Sequence, residues 1–120
     1  MIELTLPWPP SVNGYWRSPT RGPLAGRHLI SKRGREYRKA ATQAVADQWQ
    51  GDAMESRLSV TVRLCSPTRR QYDIDNMMKG LLDALTHAGI WQDDGQIDRL
   101  TIERGEVEKP GKAVVKVEVL

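Results

Sequence analysis

Three aspartates and a lysine carry the chemistry open to this sequence. Asp73 and Asp75 stand two apart in D-I-D-N-M-M-K (Asp73 to Lys79), and Asp94 follows in Q-D-D-G (Gln92 to Gly95). Carboxylates without cysteine or histidine partners select hard, oxygen-preferring cations: Mg²⁺, with Mn²⁺ as a substitute. His28 and His87 are not spaced as zinc ligands. If residues 73–75 are extended, Asp73 and Asp75 point the same way. If a helix begins at Asp75, Lys79 falls at i+4 on the same face. A cation held by a few carboxylates can activate water and offset charge on a displaced oxygen, and a lysine beside it adds phosphate binding or leaving-group stabilisation. A plainer reading also stands, in which Asp75 caps a helix, Asp93-Asp94-Gly95 is a turn and Lys79 is solvated. Asp83 reads as solvated helix surface. Asn76 either positions Asp75 or starts the helix.

The charge is unevenly spread. Arg17 to Lys39 holds eight basic residues against one acid, Glu36, whereas Asp73 to Glu108 holds nine acids against three bases. A basic arm and an acidic site on one chain point to an anionic polymer handled with a cation. Arg17, Arg21, Arg27, Lys32, Arg33 and Arg35 of the arm are candidate backbone-phosphate contacts, as are Arg69 and Arg70 just before the acidic site. Tyr15 and Trp16 are placed to stack on an unpaired base; the alternative is a solvated basic surface with Trp16 covering the core. Trp8, Trp49 and Trp91 read as core or dimer packing.

Alternation and periodicity define the elements that must position these groups. Ile2 to Leu6 alternates as a strand and is stopped by Pro7, Pro9 and Pro10. Ser11 to Ile30 reads as a long irregular stretch of the functional or mobile kind. Ser31 is a candidate N-cap for a helix from Lys32 to about Trp49. Its basic first turn opposes the helix dipole, a cost that phosphate binding would offset. Arg57 to Cys65 reads as a strand with one wet face, and Ser66 to Tyr72 as a basic loop. A helix from about Asn76 to Ala88 is capped by Asp75 and closed by Gly89. Strands follow at Ile97 to Glu106 and Ala113 to Leu120. This order predicts a single α+β domain over residues 1–120, with a mixed sheet of about four strands and two main helices.

With 120 residues, the chain builds one small core, of a size often extended by dimerisation. Cys65 has no partner for an intrachain disulfide, which fits a reducing cytosol. The start M-I-E-L-T-L-P lacks the pattern of a signal peptide, and no run approaches the ~20 apolar residues of a membrane span. These features lead to the expectation of a cytoplasmic protein.

D-I-D-N-M-M-K followed by L-D-A-L-T-H-A-G-I-W-Q-D-D-G-Q-I (Asp73 to Ile97) resembles the RusA family of Holliday junction resolvases, small endodeoxyribonucleases of bacteria and their phages. The opening L-P-W-P-P-S-V-N (Leu6 to Asn13) is similar to the family's N-terminal signature. The resemblance implies metal-binding carboxylates at Asp73, Asp75 and Asp94 and an essential lysine at Lys79. It also implies a homodimer that uses Mg²⁺ to nick two strands of a four-way junction symmetrically. Asp93 is the alternative to Asp94, with the register favouring Asp94. Relatives tend to keep arginines right up to the first aspartate; here Arg69-Arg70 is followed by Gln71 and Tyr72.

The expected function is therefore Mg²⁺-dependent resolution of branched DNA in recombination and repair. Two other classes remain open: a non-enzymatic DNA-binding protein whose acids are caps and turns, and a metal-dependent phosphohydrolase of small molecules. The basic arm counts against the second.

Overall fold

A computed structural model describes all of residues 1–120. Its centre is a four-stranded mixed sheet of β1 (Ile2–Pro7), β4 (Leu58–Cys65), β5 (Ile97–Arg104) and β6 (Lys112–Val119), in the order β1-β6-β4-β5. β6 runs antiparallel to both β1 and β4, and β4 and β5 are parallel. The parallel pair needs a crossover, which is supplied by α3 (Met78–Ala88). α2 (Lys32–Gln48) packs against α3 and β1. The expected α+β domain, with its mixed four-stranded sheet and two main helices, is what the chain forms.

Period-two alternation puts Leu4, Leu6, Val60, Val62, Leu64, Ala113, Val115 and Val117 on one face, where they enter the core. Glu3, Thr61, Arg63 and Lys116 line a shallow pocket on the sheet. α2 contributes Gly34, Tyr37, Ala41 and Val45 to the buried side, and α3 contributes Met78, Gly80, Leu81, Ala84 and Leu85. β1 continues through Pro7, which an edge strand tolerates because no ladder bond is lost. Gln48 closes α2 onto this edge: its side chain accepts from Thr5 N and donates to Thr5 O, both at 2.8 Å.

Two expectations about local structure change. Ser11 to Ile30 is not wholly irregular. It holds a single helical turn, α1 (Val12–Tyr15), and a two-stranded ribbon of β2 (Trp16–Arg17) with β3 (Leu29–Ile30). Ser31 explains the order, because it caps α2 through Gly34 N (2.9 Å) while its hydroxyl donates to Gly14 O (2.6 Å). The second change lies before α3. Ile74–Met77 is a 3₁₀ turn that leads into the helix, so Asp75 sits inside that turn and does not cap α3. Gly89 ends α3 in the left-handed region (φ +87°), as expected of a C-terminal glycine.

Candidate active site

Asp73, Asp75 and Lys79 come from one short stretch with two backbone states. Asp73 is extended (φ −85°, ψ 129°), whereas Asp75 is in the 3₁₀ turn. The premise that residues 73–75 run extended therefore fails at Ile74, and the period-two argument for parallel carboxylates fails with it. Asp75, Asn76, Lys79 and Leu82 instead line one side of a cleft of about 400 Å³, with Val12 of α1 and Asp94 also in its lining. Asp94 opens a second 3₁₀ turn (Asp94–Gln96) just before β5. The chain thus leaves β4, traverses α3, and brings Asp94 back to a cleft shared with Asp75 and Lys79. Asp73 does not line this cleft. It borders another cavity together with Arg69, Arg70 and Arg104.

Asp93 and Asp94 have different surroundings. Asp93 is the N-cap residue of the second turn, and its carboxylate lies back over that turn: a Cβ on Gly95 would fall 2.8 Å from Asp93 Oδ2. The Gln96 side chain accepts from Asp93 N (2.9 Å) and donates to Met54 O (2.8 Å), which pins the turn to the linker before β4. Asp94 is left facing the cleft.

None of Asp73, Asp75, Asp94 or Lys79 joins an ion pair; the chain's three pairs are Arg38–Asp83, Arg57–Asp98 and Lys112–Glu108. No three His, Cys, Asp or Glu side chains of the chain converge as a ready-made metal cluster. The donor chemistry nonetheless fits a hard divalent cation. Two unpaired carboxylates at one cleft are what Mg²⁺ commonly takes from a protein, with waters and substrate phosphates completing its octahedron.

A model of the family Endodeoxyribonuclease RusA matches residues 7–119. This chain belongs to the RusA family. It is 38% identical over 115 residues to the crossover junction endodeoxyribonuclease of Enterobacteria phage HK97, covering 96% of this chain and 92% of that protein. It is 35% identical over 110 residues to the RusA crossover junction endodeoxyribonuclease of Shigella sonnei strain Ss046, covering 92% and 88%. For the Escherichia coli K12 protein of the same name the identity is 33% over 110 residues, with the same coverage.

The basic residues of this RusA-family chain fall in several places. Arg17, Arg21, Arg27, Lys32, Arg33, Arg35, Arg69 and Arg70 are all exposed. None of the eight is spent on an internal ion pair. Arg17 lines a concavity with Asn13 and Trp16; Val12 borders both it and the acidic cleft. Arg35 lines a separate one with Lys39 and His87. No helix is long and apolar enough to cross a membrane.

Two side chains behave otherwise than expected. Tyr15 is fully buried, so it cannot stack on a base. Its ring packs edge-on to Trp16 at 5.1 Å, and Trp16 is itself half-buried. Asp83 is not solvated helix surface. It accepts from the Tyr15 hydroxyl and from Arg38 Nε (2.9 Å), and Arg38 Nη2 lies 2.8 Å from the same oxygen. Burial first, and then the Asp83 hydrogen bond, hold the Tyr15 phenol well above its ordinary range. For Arg38, burial opposes the charge, but bonds to Asp83 and Tyr15 outweigh it and raise the pKa. One sequence signal pointed this way. Gly80 and Ala84 stand four apart beside Asp83, and small residues at that spacing let another element approach the helix closely.

Of the tryptophans expected to pack, Trp91 is buried and its Nε1 donates to Thr86 Oγ1 (2.6 Å). Trp8 and Trp49 are half-buried against the core.

Proposed function

We propose that this protein is a divalent-metal-dependent endonuclease that resolves four-way DNA junctions in recombination and repair. The observation that carries the reading is the cleft lined together by Asp75, Lys79 and Asp94, in which Asp94 returns from beyond α3 to the residues at the start of that helix. The names of the relatives, crossover junction endodeoxyribonucleases, supply the substrate class.

In this reading Asp75 and Asp94 would hold Mg²⁺, or Mn²⁺ in its place; Asp73, which the resemblance names as a third carboxylate, borders the neighbouring basic cavity. When bound, the ion would supply Lewis acidity toward water and the phosphoryl oxygens. Lys79 donates to the phosphate or the leaving oxygen, where charge develops. The exposed arginines and lysines from Arg17 to Arg35, with Arg69 and Arg70, grip the backbone and make affinity fall with salt. Two copies related by a two-fold axis match a two-fold junction and place paired symmetric nicks.

The test is cleavage of a four-way junction and of linear duplex, each in Mg²⁺ and in EDTA. Selective junction cutting that disappears in EDTA is expected; equal cutting of both substrates, or full activity in EDTA, would sink the reading. Asp75→Asn should retain junction binding while cleavage collapses. Sedimentation of the free protein should report a dimer.

A further inference from the structure

The carboxyl ends of the parallel β4–β5 pair carry a second, basic cavity of about 420 Å³, which borders Asp73 and takes in Arg69, Arg70, Tyr72 and Arg104. Two chain segments build it, Ser66 to Asp73 leaving β4 and the residues leaving β5. They are tied together by Gly105 N to Leu64 O (2.7 Å) and Glu108 N to Ser66 O (2.8 Å). Within the first segment Ser66 Oγ donates to Thr68 O (2.7 Å), and Arg70 N donates to Thr68 Oγ1 (3.3 Å). These internal bonds do not use the guanidinium groups of Arg69 and Arg70, and none of Arg69, Arg70 or Arg104 joins an ion pair.

Arg104 is pre-positioned. Its guanidinium lies 4.4 Å from the centroid of the Tyr72 ring, and Nη2 donates to Tyr72 O (3.1 Å). Tyr72 is itself fixed by Trp8, packed edge-on at 5.3 Å, and its hydroxyl is buried. A stacked guanidinium has little rotamer freedom left to lose when it binds, and its remaining N–H groups suit a phosphate. Three guanidinium groups against the single Asp73 carboxylate make the cavity cationic.

The geometry points to a phosphodiester-binding subsite made by Arg69, Arg70 and Arg104, in which Tyr72 fixes the Arg104 guanidinium. Its ligand is a backbone phosphate of the nucleic acid whose strand enters the acidic cleft. In naming that ligand it rests on the nuclease reading.

The test is binding to a four-way junction and to linear duplex in EDTA, across a salt series, for wild type, Arg104→Gln, Arg104→Lys and Lys116→Gln. Lys116→Gln makes the same charge change on the exposed outer surface of the sheet. Arg104→Gln should weaken binding roughly tenfold and flatten the plot of log affinity against log salt by about 0.9. Arg104→Lys should keep the slope and lose part of the affinity, because the charge remains and the planar stack does not. Lys116→Gln should match wild type. Arg104 is exposed, and a thermal melt of Arg104→Gln checks that the fold is intact. An Arg104→Gln slope equal to that of wild type overturns the subsite, even if wild type cuts junctions normally. If wild type binds DNA and shows the Arg104 effect but cuts nothing in Mg²⁺, the nuclease reading falls and the subsite stands. If wild type binds no DNA, both fall.

Discussion

Tyr15 lies against Gly80 with no room for a side chain between them: a Cβ on Gly80 would fall 2.8 Å from Tyr15 Cδ1. Three residues further along α3, Asp83 accepts the Tyr15 hydroxyl. Tyr15 therefore grips α3 at two points within one turn, both in the segment that directly follows Lys79. The α1 turn, α2 through Arg38, and α3 are locked into one unit behind the acidic cleft.

Gly80→Ala should destabilise the protein. Alanine gains up to about 1 kcal/mol of helix propensity over glycine. Forcing a methyl group into the Tyr15 ring costs about 1–3 kcal/mol, so the overlap wins. Chemical denaturation should place the midpoint below wild type, and a variant more stable than wild type would show that the Tyr15 ring moves freely.

Asp83→Asn keeps the shape of the side chain but leaves the Arg38 charge without its counterion. A loss of roughly 1–2 kcal/mol is expected, at the low end for a charge-assisted bond because solvent reaches the pair. Junction binding measured at a temperature where the variant is fully folded should stay close to wild type. A tenfold loss of binding there would mean that Asp83 acts on DNA directly.

The adjacent acids Asp93 and Asp94 should separate cleanly. Asp94→Asn should reduce metal-dependent cleavage by more than the roughly 10–100-fold that loss of an outer-sphere partner costs, and should shift the Mg²⁺ titration to higher concentration. Asp93→Ala should instead cost about 1 kcal/mol of stability from the lost cap and leave the Mg²⁺ titration in place. Reversed results would move the ligand assignment to Asp93.

Alkali should unfold the protein through its buried phenols. Burial, and at Tyr15 the Asp83 hydrogen bond, raise the Tyr15 and Tyr37 pKa values above the ordinary 10.0. A raised folded pKa contributes stability that is fully present below the unfolded value and is lost as pH climbs from there through the folded value. Stability should therefore be flat in this respect up to about pH 10 and fall above it. Tyr15→Phe should flatten the alkaline limb, as followed by urea midpoints between pH 8 and 11. An unchanged limb would exclude Tyr15 as its source.

The strands were legible because a sheet with one buried face writes its period into the sequence. Leu58, Val60, Val62 and Leu64 alternate in the chain and all end in the core. The end of α3 was legible at Gly89, since a left-handed closing residue favours glycine. The family was legible in D-I-D-N-M-M-K and the acids beyond the next helix. Tertiary structure decided the rest, because it turns on contacts between residues far apart in sequence. Whether Ile74 continues an extended segment or starts a turn depends on how the chain leaves β4 beside β5, and that choice puts Asp75 in one cavity and Asp73 in another. Tyr15 looked free to meet DNA, and Asp83 looked solvated, until α1 and α3 were packed together. Arg104 reaches Tyr72 across 32 residues only because parallel strands end side by side. Local pattern fixes which face a side chain takes, and packing determines which other side chain it meets there.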